Sequence, residues 1–190
     1  MYRYFIFAVV LLIIGFCTVF QVVVVPTASM ERTVLIGDHL LVDRVSYRFR
    51  DLWRGEVISF HPPGKRNSVY LKRVVALGGD RVEVRDGAVL VNGSRVSEPY
   101  AEHVAGCAHE QVSVVVPNGE MFVLGDNRNR SEDSRYFGTV PVRNIVGKPV
   151  MVLWSFAIPT EKWMRPQQAA LYFDHPLARM RWSRMFRPLQ

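Results

Sequence analysis

Lysine is scarce in this 190-residue chain. Of its 24 basic side chains only Lys65, Lys72, Lys148 and Lys162 are lysine, and the rest are arginine. Arginine keeps its proton in a protein, whereas a desolvated lysine can become a neutral base. Base chemistry by a cationic side chain therefore has four candidates. Cysteine is rarer still: Cys17 lies in an apolar run and Cys107 far outside it, so no structural disulfide is expected. The five histidines are scattered. "EHVAGCAHE" gathers His103, Cys107 and His109 but lacks the spacing and second cysteine of a zinc site. His39, His61 and His175 stand alone. No G-x-S-x-G elbow and no S-x-x-K occurs. "DNRNRSED" puts Arg128 where a calcium loop needs a ligand. Neither a metal nor a cofactor is expected. The net charge of +7 would suit nucleic acid or an anionic membrane surface. No nucleic-acid-binding motif accompanies it, so the lipid bilayer is the expected partner and nucleic acid is not.

What the chain does have begins at its N-terminus. Tyr4 to Val25 is 22 residues without a charge, which as a helix would span roughly 33 Å against a bilayer core of about 30 Å. A cleaved secretory signal usually has an apolar region of only about 7–15 residues. The run is therefore read as a retained transmembrane anchor over 4–25, behind a short tail at 1–3. Tyr2 and Tyr4 suit one interface. Orientation is not decided by charge, because Arg3 lies on one side and Arg32 and Arg44 on the other.

After Pro26 the pattern changes to strand and turn. "EVISFHP", "SVYLKRVVAL", "RVEVRDGAVLVNG" and "EMFVLGD" are short runs rich in Val, Ile, Phe and Tyr, each bounded by turn residues. Asp86-Gly87 marks a hairpin and Asn92-Gly93 the next turn. Residues 26–158 contain no long helix-period segment and no repeat, so the fold class is mostly β, with short antiparallel strands. The final segment, 159–190, is rich in Trp, Arg and Met. If 177–189 is a helix, Ala178, Trp182, Met185, Phe186 and Leu189 fall within about 100° of arc, with Arg179, Arg181, Arg184 and Arg187 outside it. That pattern suits either a helix packed on the core or an interfacial amphipathic helix.

Among the four lysines, Lys72 alone sits inside a strand-like apolar run. Alternation puts Tyr70, Lys72 and Val74 on one face and Leu71, Arg73 and Val75 on the other. Periodicity does not say which face is buried, and a snorkelling surface lysine fits the pattern as well as a buried base does.

Taken together, "PTASMERTVLIGD", "RGEVISF", "YLKRVVALGGDRVEV" and "VPNGEMFVLGDNRNRSEDSRYFG" resemble the successive boxes of bacterial type I signal peptidases, in the family's order and behind an N-terminal anchor. The resemblance covers most of residues 1–150. It implies a signal-peptidase-like β domain and a membrane-bound serine endopeptidase that removes signal peptides. Ser29 would be the nucleophile and Lys72 the general base. Thr27 and the Ser29 N–H would receive the oxyanion. Ser131 would orient the lysine amine, and Asp133 and Arg135 would form a supporting pair, or merely a structural ion pair of the loop. The substrates implied are exported preproteins with small residues at −3 and −1. The location implied is the bacterial inner membrane, single-pass, with the catalytic domain outside.

Two positions depart from the family pattern: Arg32 stands where proline is usual, and Thr27 where serine is commoner. The tail beyond Pro159 has no counterpart in that pattern. Two other readings remain: a specialised maturation peptidase for a conjugation or pilus-type substrate, and an inactive anchored β-module that binds exported peptides.

Overall fold

The computed structural model describes residues 2–85, 87–102, 111–157 and 180–189. His103, Cys107, His109, Lys162 and His175 lie outside the described residues, as does most of the 159–190 tail.

The apolar N-terminus forms helix α1, Tyr2–Val19, long and apolar enough to cross a membrane by length and composition. It ends six residues before the expected boundary at Val25. Phe20–Val24 is instead strand β1, paired antiparallel with β2 (Asp38–Asp43) from Phe20↔Asp43 to Val24↔His39. The cause is local composition. Three consecutive valines lose side-chain freedom in a helix but fit a pleated sheet, and β2 offers their backbone a ladder.

Among the described residues eleven strands follow α1. With β3 (Val57–Phe60), β4 (Tyr70–Leu77), β9 (Glu120–Leu124), β10 (Val140–Pro141) and β11 (Ile145–Ser155), the first two make a seven-stranded sheet in the order β1-β2-β11-β3-β4-β9-β10. Strands β5 (Arg81–Arg85), β6 (Ala88–Val91), β7 (Ser94–Arg95) and β8 (Val112–Val115) make a second sheet in the order β7-β6-β5-β8. Strand pairs flank both expected turn positions, of which Asp86 lies outside the described residues. Arg85 pairs with Ala88 across the first, and Val91 with Ser94 across the second. In that second turn Asn92 and Gly93 have φ of 53° and 79°, the left-handed pair that a two-residue hairpin needs.

The core lies on both faces of β4 and β9. Val75, Phe122 and Leu124 pack with the β5–β6 hairpin, while Val74, Met121 and Val123 pack with Ile58, Phe60 and Val140. A third cluster, Val25, Met30, Val34, Leu40, Val42, Val57 and Val152, surrounds the loop between β1 and β2. β4 is thus a central strand buried on both faces over Lys72–Ala76, so Lys72 and Arg73 are both buried although they point to opposite sides.

The expected helix over 177–189 is not formed in its described part. Residues 180–189 run beside β11, with one 3₁₀ turn at Trp182–Arg184 and bridges Phe156↔Met180 and Met151↔Pro188. Phe186 N donates to Val152 O and Leu189 N to Val150 O. Backbone groups of β11 not taken up by β2 or β3 offered the segment a partner that the amphipathic arc could not reveal. Over 180–189 the expected helix is therefore replaced by a strap along β11, with Arg184 buried and Trp182 and Phe186 exposed.

Candidate active site

Three residues expected to act together meet in one place. The chain leaves β1 at Pro26, bends at Thr27–Ala28 and enters a tight turn at Ser29–Met30. Met30 is buried in the third cluster and fixes the turn, and the Ser29 carbonyl accepts from Asn127 N at 3.1 Å. Lys72, reaching across from β4, donates its Nζ proton to Ser29 Oγ at 2.6 Å. The Thr27 and Ser29 hydroxyl oxygens are 3.3 Å apart. In an extended chain their backbones would be about 7 Å apart on a common face; the bend brings the hydroxyls into contact. The Ser29 N–H makes no hydrogen bond to a described residue.

The amine sits in a poor environment for charge. Burial lowers the Lys72 pKa from 10.5 to about 8, only partly opposed by the negative charges of Asp133, Glu132 and Asp126. At pH 7 a pKa of 8 leaves about one lysine in ten neutral, against roughly one in three thousand at 10.5. The other described lysines are held differently. Lys65 is half-exposed and bonded to Glu132 at 2.6 Å, and Lys148 pairs with Glu56 at 3.0 Å.

The loop after β9 closes the site from the other side. Asp133 and Arg135 form a buried pair at 2.8 Å, and Asp133 also accepts from Gly125 N at 3.0 Å. Asp133 caps the short helix α2, Ser134–Phe137, through Arg135 N, and Arg135 reaches back to the Arg128 carbonyl at 2.7 Å. The pair therefore shapes the loop that carries Ser131. Ser131 itself is buried, but its hydroxyl has no hydrogen-bond partner among the described residues, Lys72 included.

Sequence reasoning overlooked Gly125. A Cβ there would collide with the Ser131 side chain and stand 2.6 Å from the Ser29 carbonyl oxygen, so glycine is what lets the two serine segments approach. It also overlooked Asp126, which pairs with Arg73 at 2.7 Å and accepts from the Thr33 hydroxyl. The "GD" after the β9 run was the available signal for both. The rim is polar: the Tyr70 hydroxyl donates to Glu132 at 2.8 Å, and Lys65 bonds both. Beside Ser29 lies a cavity of about 270 Å³, whose apolar wall includes Val23, Val25, Leu40, Val69 and Leu71.

Comparison with known proteins shows the family. Residues 1–154 match the family described as signal peptidase, peptidase S26. The chain belongs to that family. It is 40% identical over 135 residues to a probable signal peptidase I-2 of Synechocystis sp., covering 68% of this chain and 61% of that protein. It is 37% identical over 137 residues to a signal peptidase I of Leptolyngbya laminosa, covering 68% and 66%. Against the signal peptidase I of Bacillus caldolyticus it is 38% identical over 150 residues, covering 73% and 81%. The chain thus spans a little under two thirds of the first two relatives. The S26 pattern also meets a departure that the backbone explains. Arg32 has φ of +85°, a left-handed conformation that a proline ring, fixed near −65°, does not reach. The turn after Ser29 is here built without a ring.

Proposed function

We propose that this chain is a membrane-anchored serine endopeptidase that removes N-terminal signal peptides from exported proteins, with Ser29 as nucleophile and Lys72 as general base. The observation that carries the reading is the 2.6 Å contact between the Lys72 amine and Ser29 Oγ, made by a buried lysine whose pKa is lowered to about 8. Neutral Lys72 accepts the Ser29 proton as Oγ bonds to the scissile carbonyl carbon. The developing oxyanion is received by the Ser29 N–H and the Thr27 hydroxyl. As the C–N bond breaks, the Lys72 ammonium returns its proton to the leaving amine. Water then attacks the acyl-enzyme with Lys72 again as base.

The surroundings support the same substrate class. Among the described residues strand β1 is at the sheet edge, with β2 on one side only, so its second row of backbone groups suits an extended peptide added as a strand. The cavity of about 270 Å³ has room for small apolar side chains, as the −3 and −1 positions require. Ser131 would meet the Lys72 amine after a change of rotamer, and Asp133 with Arg135 would hold its loop. Helix α1 would anchor the chain in the bacterial inner membrane, with the β domain outside, where the bond to be cut emerges.

Incubating the full chain in lipid vesicles with a panel of exported precursors tests the proposal. Cleavage after small residues, lost in Ser29→Ala, is expected. Cleavage of one specialised precursor alone would make it a dedicated maturation peptidase. Binding of precursors without cleavage would make it an inactive module.

A further inference from the structure

Residues 180–189, strapped along β11, lie against the loop that carries Ser29. That loop, residues 25–38, is closed at its base by Val25 N donating to Asp38 O at 2.9 Å and Gly37 N to Val25 O at 3.0 Å. Asp38 is fully buried, and one of its carboxylate oxygens accepts from Leu35 N at 2.9 Å. Arg184, also buried, bonds both carboxylate oxygens, at 3.1 and 2.6 Å, and reaches the Thr33 carbonyl at 3.2 Å. Arg181 donates to the Ile36 carbonyl at 2.9 Å and to Ser155 Oγ at 3.2 Å. Leu189 packs against the cluster of Val25, Met30 and Val34. Three successive parts of one loop, at Thr33, Ile36 and Asp38, are thus tied to residues more than 140 positions later in the chain.

Those ties add to the bonds the loop makes within itself, Glu31 N to the Ala28 carbonyl and Thr33 N and Val34 N to the Met30 carbonyl. Its turn passes through a left-handed arginine, with no proline between Ser29 and Thr33. On the inner side it is held by Asn127 N on the Ser29 carbonyl and by Thr33 on Asp126. The outer side rests on the strap. We propose that Arg184 and Arg181 are positioning residues for the nucleophile: the strap fixes the loop so that Ser29 Oγ stays within reach of Lys72. The inference rests on the peptidase reading above and adds a part of the chain that the family match, which ends at residue 154, does not include. A planar guanidinium bonded to two carboxylate oxygens and a carbonyl fixes direction as well as charge. A misplacement of about 1 Å costs a catalytic step on the order of 100-fold.

The test uses the full chain in vesicles, with Arg184→Met, Arg184→Lys and Arg181→Met, one fluorogenic precursor peptide and thermal unfolding of each variant. The expected losses in kcat are about 100-fold, about 10-fold and a few-fold, with KM within about twofold of wild type, because position rather than binding is disturbed. A loosened site also hydrates Lys72, so the acidic limb of kcat/KM should move to higher pH. Arg184→Met leaves a buried carboxylate underpaired and can fail to fold; Arg184→Lys and Arg181→Met then decide. Wild-type kcat and an unmoved limb in those two folded variants would overturn the proposal. So would losses that only track the folded fraction. Failure of the peptidase reading is distinct: wild type itself would then cleave nothing, or Ser29→Ala would cleave as wild type does.

Discussion

Replacing Lys72 by arginine keeps the positive charge and most of the length of the side chain and removes one property, the ability to give up a proton. In the folded chain the Lys72 pKa is lowered to about 8 by burial. The neutral fraction at pH 7 is then about one in ten, roughly 300 times that of an unperturbed lysine. Activity should rise with pH through an acidic limb near 8, because the neutral form is the active one. Lys72→Arg should be as inactive as Lys72→Ala, with a loss of about 100- to 10,000-fold for a missing general base. Lys65→Arg and Lys148→Arg, at an exposed rim bond and a surface pair, should keep most activity. The assay is kcat/KM on one peptide substrate from pH 6 to pH 10, roughly two units either side of the lowered pKa. An active Lys72→Arg enzyme, or a wild-type limb at the pKa of a free lysine, would refute the reasoning.

Four further outcomes follow from the same geometry. Thr27→Ser should stay active while Thr27→Ala loses about 100- to 1,000-fold in kcat, as for removal of one oxyanion donor; equal mild effects would make Thr27 a packing residue. Glu132→Gln removes a charge that raises the Lys72 pKa, so the acidic limb should move to lower pH, modestly because Glu132 is half-exposed and screened. Gly125→Ala should cripple the site, since its Cβ would collide with Ser131 and crowd the Ser29 carbonyl; wild-type kcat and Tm would contradict that. Lys72→Met should be inactive yet more stable at pH 7, by up to about 3 kcal/mol for a lysine lowered from 10.5 to about 8. Between pH 8 and 10.5 the unfolded wild type binds more protons than the folded one. Its stability therefore rises with pH, and the gap to Lys72→Met should close, as Tm measured across that window would reveal.

Much of the β domain was legible from local signals. The Asn92-Gly93 turn and the valine alternation of β5 act through neighbours in the chain, so sequence suffices for them. The end of α1 was not legible, because Tyr4–Val25 is uniformly apolar and only the long-range ladder with β2 separates Val19 from Phe20. The tail misled for a similar reason. An apolar arc at helical spacing can be drawn over 177–189, but the pairing of 180–189 with β11 and the Arg184–Asp38 bond depend on residues far away. At the site, Lys72 stood out as the lysine inside an apolar run, yet its burial followed from β4 being central, which periodicity does not encode. Ser29, Thr27 and Ser131 came from resemblance rather than pattern, and the Ser131 hydroxyl, without a partner among the described residues, is a detail of geometry that no motif carries.

The most direct test is to trap the nucleophile. The full chain in vesicles is treated with a serine-directed acylating inhibitor at pH 8, then digested and read by mass spectrometry. The arrangement of Lys72 against Ser29 predicts a single adduct on the peptide containing Ser29, absent in Ser29→Ala and formed far more slowly in Lys72→Arg. An adduct on another residue, or equal rates in wild type and Lys72→Arg, would contradict a Ser29 nucleophile activated by Lys72.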